Sequence, residues 1–354
     1  MAAGSAIGTG RADRRGSTML DCFFLARGRL LAPLALTAPF TLGAAACGST
    51  DTDAPTSSDD LIGGAAVAED ALPGVIGIVG GCTAAKVGPR HILLAAHCVT
   101  DFYEQGSEHL RPAYRSGARL SLTQSRASNQ TTHQAVVADT FVPDTWKKNC
   151  AGRWGCSVDQ PSRWSSPDIA LVVTTEDIAR IPTALVDLDP VRPGDRVVLL
   201  GYGCEERVGG PFDYSKSRLK MMETTIATPS TVRHPGSFIT TEEDVAIVDQ
   251  WVSLTKGPGL DRDVPGLCPG DSGGPLLRAG ASTTTVVGVN SSYTFVDRST
   301  GLPATNWQAR VDGTSGIGAF LERHGVAVTH GCSAPGTTCS ADAGLDASDA
   351  DDAD

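Results

Sequence analysis

The sequence predicts an all-β fold, built as an antiparallel sandwich or barrel. Short runs rich in β-branched and apolar residues recur along the chain, turn residues separate them, and no long helical period lies between them. The chain has 40 glycines among its 354 residues, which favours many turns over long helices. A chain of this length can bury one large core or two smaller ones.

Seven segments carry the strand pattern. They are residues 91–99, 119–122, 135–142, 169–174, 196–200, 245–254 and 284–289. One helix candidate, residues 316–324, comes late in the chain. There Ile317, Phe320 and Leu321 share a face at helical spacing, and Ser315 is placed to cap the start.

The chain divides into four regions. Residues 1–47 have the pattern of a signal peptide, because arginines precede an apolar run that ends in small residues before Cys47. Residues 48–60 lack large apolar side chains, so we interpret them as a linker or propeptide. Residues 61–330 form the globular domain, and residues 331–354 are an acidic tail that we expect to be disordered.

Ten cysteines indicate an oxidising compartment and therefore a secreted protein. Cys47 leaves two interpretations open. The sequence before it resembles a lipoprotein cleavage site, which would place a lipid anchor on Cys47, but an ordinary signal peptidase site after Ala46 fits as well. Losing Cys22 with the signal and modifying Cys47 would leave cysteines that can pair without remainder.

Charge and composition exclude two classes of function. The net charge of −11 lies largely in the tails, and the central region has no basic run that would bind a nucleic acid. The cysteines lack the paired two-residue gaps of a structural zinc site. We therefore expect no nucleic-acid partner, no metal and no cofactor, and we expect a monomer.

Ser272 is the candidate nucleophile for cleaving an amide, and it lies in the motif GDSGGP at residues 270–275. Gly270 allows backbone torsions that side chains forbid, so that its N–H and that of Ser272 can both point at a developing oxyanion. A shorter Gly-x-Ser-x-Gly is as often a surface turn, whereas the longer string is far more specific.

His97 and Asp168 are the candidate base and the carboxylate that orients it. His97 ends an apolar run, and the adjoining Cys98 can bond to Cys82 across a hairpin and fix the loop that holds the imidazole. Asp168 opens an apolar strand, where a carboxylate is costly to bury unless it is paired. Pairing with the N–H of His97 would hold the tautomer that deprotonates Ser272.

Together, the motifs AAHC at residues 95–98, DIAL at 168–171 and GDSGGP at 270–275 resemble the chymotrypsin-like (trypsin-type) serine peptidase family, as a secreted bacterial member. The resemblance covers about residues 61–325. It implies two packed six-stranded antiparallel β-barrels, with a catalytic triad in the cleft between them and a C-terminal helix. It also implies a serine endopeptidase that acts on protein or peptide substrates through an acyl-enzyme.

The resemblance extends to an activation site. Leu61, at the start of LIGG, matches the mature amino terminus of the family, whose freed α-amine pairs with the aspartate before the nucleophile, here Asp271. A cut before Leu61 would then convert a zymogen into the active form. The preceding residue is Asp60 rather than arginine or lysine, so another processing protease, self-processing and a constitutive shape all stay open.

Substrate-binding positions follow from the same resemblance. Ser291 matches the serine that hydrogen-bonds the triad aspartate, and residues 201–203 match a conserved Gly-Trp-Gly turn. Gly266 falls at the floor of the primary specificity pocket, where trypsins have an aspartate; without an anion there, we expect a preference for uncharged residues before the scissile bond. Ser292 or Tyr293 replaces a wall glycine, which would favour small aliphatic over aromatic side chains.

Four disulfides are expected in the mature protein. The pairs are Cys82 with Cys98 by resemblance, Cys150 with Cys156 and Cys332 with Cys339 by closeness in sequence, and Cys204 with Cys268 by elimination.

Two other classes of function are alternatives to a serine endopeptidase. A catalytically silent homologue that acts as a binding protein usually lacks a triad member, and here all three are present. An esterase of the α/β-hydrolase type requires the chain order Ser, Asp, His, which is opposite to the order in this sequence.

Overall fold

Strands dominate the part of the chain that this computed structural model describes. The described residues are 64–67, 71–78, 81–101, 104–125, 130–152, 156, 165–203, 218–228, 246, 249–257, 266–280, 284–294, 305–312 and 314–330. The predicted signal peptide, linker and acidic tail lie outside these ranges, as does Leu61. No helix within these ranges has the length and apolar character needed to cross a membrane.

Six antiparallel strands close into the first barrel. In order around the ring they are β2 (Val75–Ile78), β3 (Cys82–Lys86), β4 (His91–Leu94), β9 (Ala170–Thr174), β8 (Gln130–Phe141) and β7 (Arg119–Ser125). All residues of β2, β3 and β4 are buried, so these strands are covered on both faces. The sequence of β4 accordingly is apolar after its first residue rather than alternating.

A second ring contains six further strands. They are β12 (Lys220–Thr225), β11 (Arg196–Gly201), β14 (Pro275–Arg278), β15 (Thr285–Thr294), β16 (Thr305–Arg310) and β13 (Val252–Lys256). Ile226, the residue after β12, forms an antiparallel bridge to Thr255 of β13, which closes the ring. Three short strands extend this sheet: β1 (Ala65–Ala66), β10 (Leu185–Asp187) and β17 (Val328–Thr329).

The remaining described elements are short. Strands β5 (Thr100–Asp101) and β6 (Gly106–Leu110) form a hairpin, and a 3₁₀ turn spans Pro112–Tyr114. The helices are α1 (Ala96–Val99), α2 (Asp144–Asn149) and α3 (Ile317–Arg323).

The predicted all-β class, with two six-stranded antiparallel barrels and a late helix, is confirmed. Ser315 lies at the start of α3, and its Oγ accepts a hydrogen bond of 3.3 Å from the Ile317 N–H.

Two predicted strands include residues that are helical in the structure. The strand predicted for residues 91–99 ends at Leu94, because Ala96 starts the helical turn α1 and the Thr100 hydroxyl donates back to the Ala96 carbonyl at 2.9 Å. The strand predicted for residues 245–254 begins only at Val252. Residues 246 and 249–251 are helical, since exposed Asp249 and Gln250 interrupt the apolar run.

Two of the predicted disulfides are confirmed. Cys82 of β3 is bonded to Cys98 of α1 with a Cα–Cα distance of 6.4 Å, and Cys150 is bonded to Cys156 with a Cα–Cα distance of 4.8 Å. Cys268 is also disulfide-bonded. Its predicted partner Cys204 lies outside the described residues, as do Cys332 and Cys339.

Candidate active site

His97 lies on the helical turn α1, directly after the buried strand β4. Ala95 is extended and Ala96 starts the turn, so the chain bends where the strand leaves the barrel. Within α1, the residues around His97 are buried, whereas its own side chain keeps 16% exposure. The disulfide from Cys98 to β3 holds this turn against the barrel.

Asp168 precedes β9 and is nearly inaccessible to solvent. Its Oδ1 accepts a hydrogen bond of 2.9 Å from the backbone N–H of His97. Its Oδ2 accepts one of 2.8 Å from the imidazole Nδ1 and one of 2.6 Å from the Ser291 hydroxyl. These donors offset the cost of burying the charge. Because Nδ1 carries the proton toward Asp168, the Nε2 of a neutral imidazole is left as an acceptor.

Ser272 lies in the turn before β14, and this turn packs on the segment that leads to His97. The Ser272 carbonyl accepts a hydrogen bond of 2.9 Å from the N–H of Thr83 on β3. Sγ of Cys98 is 3.8 Å from that carbonyl oxygen and 4.0 Å from Nε2 of His97. One sulfur atom therefore contacts both the nucleophile's backbone and the imidazole.

Gly273 explains how the nucleophile's turn comes so close to the first barrel. Its φ is +84°, and a Cβ at this position would lie 3.1 Å from both the Ala95 nitrogen and the Leu94 Cβ and would also overlap the Thr83 carbonyl. Only glycine fits such an approach with this torsion. The residue after Ser272 thus packs against the residues that precede His97.

Two amide groups beside Ser272 are available to an oxygen atom. Gly270 has φ +101°, and its carbonyl accepts a hydrogen bond of 2.8 Å from the Thr83 hydroxyl. Within the described part of the chain, the N–H groups of Gly270 and Ser272 donate to no protein acceptor. Two unpaired N–H donors at a serine, one of them the serine's own, are the elements of an oxyanion hole.

Asp271 is turned into the protein and is fully buried. Its carboxylate accepts hydrogen bonds from the N–H groups of Gly203 at 2.8 Å and Cys268 at 2.9 Å. A Cβ on Gly203 would lie 2.5 Å from the Asp271 Oδ1, and one on Gly201 would overlap the carboxylate as well. The two glycines of the Gly-Tyr-Gly turn therefore make room for this side chain.

The predicted pocket residues lie on the second barrel. Gly266 and Ser292 are buried, and Tyr293 is half-buried opposite Asn306 of β16. Burial raises the pKa of Tyr293, and the negative charge of Asp271 adds to the shift. The Asn306 Oδ1 accepts a hydrogen bond of 2.9 Å from the N–H of Leu267, the residue after Gly266.

Two residues of the site, Thr83 and Asn306, have no signal in the sequence. Thr83 donates to Gly270 and Ser272, and it also accepts a hydrogen bond of 3.0 Å from the Tyr202 N–H. Neither residue stands in a motif, because their roles come from strands distant in sequence.

The side chains of Cys82, His97 and Cys98 offer ligand atoms within 4.8 Å of one another, which is metal-like spacing among the described residues. Both sulfurs belong to the Cys82–Cys98 disulfide. Because a metal is bound by thiolates rather than by a disulfide, this trio is unsuited to an ion while the bond is formed.

The chain is similar to a known protein family and, at low sequence identity, to a solved structure. The family model described as Trypsin matches residues 62–306. The solved structure, an atomic-resolution structure of HBP, is 14% identical, with a TM-score of 0.45, and the match covers 74% of this chain and 95% of that chain. No curated protein matches the sequence.

Proposed function

Since the chain belongs to the trypsin family, we propose that it is a serine endopeptidase that cleaves peptide bonds through an acyl-enzyme. One observation carries the proposal. The imidazole of His97 is held through Nδ1 by the buried Asp168 at 2.8 Å, and its Nε2 faces the same sulfur as the Ser272 backbone. These contacts support a single constellation of base, orienting carboxylate and nucleophile.

The proposed reaction begins with proton transfer from the Ser272 hydroxyl to Nε2 of His97. The serine oxygen attacks the scissile carbonyl carbon, and Asp168 stabilises the imidazolium that forms. The N–H groups of Gly270 and Ser272 bind the negative oxygen of the tetrahedral intermediate. His97 then donates the proton to the leaving amine as the C–N bond breaks. Water, deprotonated by the same imidazole, hydrolyses the acyl-enzyme and restores the hydroxyl of Ser272.

We propose that the enzyme prefers uncharged residues before the scissile bond. Gly266 brings no carboxylate to the pocket floor, and the nearby carboxylate of Asp271 is engaged by the amides of Gly203 and Cys268. Burying a lysine or arginine side chain without an anion is unfavourable. These contacts support an uncharged substrate side chain.

Activation by cleavage before Leu61 is also a proposal. The freed amine of Leu61 would reach the buried carboxylate of Asp271, which lies next to the nucleophile and already accepts two backbone hydrogen bonds. An amine there would add charge compensation and stabilise the turn that contains Gly270 and Ser272. Mass spectrometry of the mature amino terminus tests this step, and it also reports any lipid on Cys47.

We propose an extracellular location, either fully secreted or anchored through a lipid on Cys47. The disulfides Cys82–Cys98 and Cys150–Cys156 support an oxidising compartment. The expected monomeric state stays a prediction, and sedimentation of the purified protein tests it.

Labelling with a fluorophosphonate probe tests the proposed function, because such probes react with an activated serine. We expect the mature protein to be labelled at Ser272, and the Ser272→Ala variant to remain unlabelled. The Ser121→Ala variant is a matched control, since Ser121 lies on β7 of the first barrel. A folded mature protein that never reacts would overturn the proposal and favour the alternative, a catalytically silent homologue that acts as a binding protein.

A further inference from the structure

Three buried polar side chains lie side by side across the second barrel. Gln308 of β16 stands opposite Asn290 of β15 on one side and opposite Ser253 of β13 on the other. Residues directly opposite one another in antiparallel strands project to the same face of a sheet. All three side chains are buried. We call Ser253, Gln308 and Asn290 the polar row.

Each member of the polar row has a buried oxygen with no hydrogen-bond partner within the described part of the chain. These atoms are Ser253 Oγ, Gln308 Oε1 and Asn290 Oδ1. Buried polar atoms in native proteins are nearly always paired, so three adjacent exceptions indicate a ligand or bound water.

The nitrogen atom of each amide has a hydrogen-bond partner, and for Asn290 that partner fixes the orientation of the amide. The Asn290 Nδ2 donates to the Leu200 carbonyl at 2.8 Å, and a carbonyl can only accept. The Gln308 Nε2 donates to the Thr255 hydroxyl at 3.2 Å. The two amide oxygens are therefore the atoms left over, and they require a donor.

The polar row begins next to the nucleophile. The Asn290 N–H donates to the Gly274 carbonyl, and the Asn290 carbonyl accepts from the Gly273 N–H, both at 2.7 Å. The following residue, Ser291, donates to Asp168. Asn290 is thus bonded directly to the residues that follow Ser272.

The row also faces the predicted pocket floor. Asn306 lies two residues before Gln308 on β16, so both side chains project to the same face. Asn306 accepts the N–H of Leu267, which adjoins Gly266. The face that carries the polar row is therefore the face against which the segment 266–267 packs.

We propose that the polar row recognises the side chain before the scissile bond, and that the preferred side chain is a primary carboxamide, as in glutamine. This inference rests on the proposed endopeptidase function. The two N–H groups of the carboxamide would donate to Asn290 Oδ1 and Gln308 Oε1, and the Ser253 hydroxyl would donate to its carbonyl oxygen.

This inference replaces the small aliphatic preference that Tyr293 suggested from the sequence. An aliphatic side chain would bury the three oxygens without pairing them, which is unfavourable. Tyr293 stands opposite Asn306 on the same face and takes up space there. We therefore expect it to exclude an aromatic substrate side chain but to leave room for an unbranched one. A lysine ammonium finds no carboxylate in the row.

Peptides that differ only in the residue before the scissile bond test this proposal. Glutamine and methionine are nearly equal in size, so their ratio of kcat/KM isolates the hydrogen bonds. We expect glutamine to exceed methionine by roughly 100-fold in the mature protein. The Gln308→Met variant should lower this ratio by roughly tenfold, and Ser253→Ala should lower it as well.

A matched control replaces an amide far from the row. Gln134 is an exposed residue of β8 in the first barrel, where its amide donates to the Ser121 hydroxyl at 2.7 Å. The Gln134→Met variant should keep the parent ratio of kcat/KM. Gln308→Glu would place a carboxylate in the row, and we expect it to shift preference toward lysine.

Titration of the active serine with the fluorophosphonate separates the two proposals. If the protein is labelled but cleaves methionine peptides as well as glutamine peptides, the carboxamide inference is overturned, the row holds bound water, and the endopeptidase function stands. If the protein is never labelled, the function fails and the inference fails with it.

Discussion

Replacing Asp168 with asparagine tests the proposed chemistry most directly, because the structure determines how the new amide must sit. The Oδ1 position accepts the backbone N–H of His97 at 2.9 Å, and this group can only donate. The amide oxygen must therefore take the Oδ1 position. The amide nitrogen then takes the Oδ2 position, facing the imidazole Nδ1 at 2.8 Å and the Ser291 hydroxyl at 2.6 Å.

An amide nitrogen at that position reverses the histidine tautomer. The NH₂ group donates, so the neutral imidazole of His97 must accept with Nδ1 and carry its proton on Nε2. In that form Nε2 has no lone pair for the proton of Ser272. The same replacement in a serine protease triad lowers kcat by about 10⁴-fold, which corresponds to about 5.5 kcal/mol of barrier. The amides of Gly270 and Ser272 are untouched, so a small residual rate should remain.

Steady-state kinetics on a peptide substrate and the rate of fluorophosphonate labelling measure this loss. Asp168→Asn should lower both rates strongly, while the thermal unfolding profile shows that the protein is folded. Asp139→Asn is a suitable control, since this substitution removes the same charge from an exposed residue of β8. An Asp168→Asn protein whose kcat stays within about tenfold of the parent would refute the tautomer argument.

Three further predictions concern the structure around the site. Gly203→Ala places a methyl group 2.5 Å from the Asp271 Oδ1, so we expect this carboxylate to move and kcat to fall, measured with thermal unfolding as a check on folding. Replacing Cys82 and Cys98 together with alanine opens a loop with a sequence separation of 16, and urea denaturation should show about 3 kcal/mol less free energy of unfolding. Burial lowers the pKa of His91 from its usual 6.5, so the unfolded chain binds the proton more readily than the folded protein. The free energy of unfolding should therefore be highest above pH 6.5 and decline below it. In His91→Gln this decline should be less steep.

The strands and the proposed catalytic residues each have a local signal in the sequence, whereas the arrangement in two barrels follows only from the family resemblance. Asp168 opens an apolar strand, where an isolated carboxylate is unfavourable, and Ser272 lies in GDSGGP, a string far more specific than a glycine-rich surface turn. The pattern of residues 245–254 predicts a single strand, but the polar Asp249 and Gln250 interrupt it, and both are exposed and helical in the structure.

The polar row could not be predicted from the sequence. Asn306 and Gln308 alternate with apolar neighbours in β16, a pattern that normally indicates one face in solvent. Whether that face lies inside a barrel depends on the pairing with β13 and β15, which are distant along the chain. The register across the three strands, rather than any motif, puts these amides beside Ser253.

Residues 82–83 connect the two halves of the proposed site. Cys82 is bonded covalently to the residue after His97, while Thr83 donates to the carbonyls of Ser272 and Gly270. A thiol reductant therefore acts unequally on the two halves. It releases the turn that contains His97, whereas the hydrogen bonds from Thr83 to the carbonyls of Ser272 and Gly270 stay intact. The protein should therefore lose hydrolytic activity under reduction before it unfolds, and regain this activity on reoxidation. Its activity would then depend on the redox potential of its surroundings.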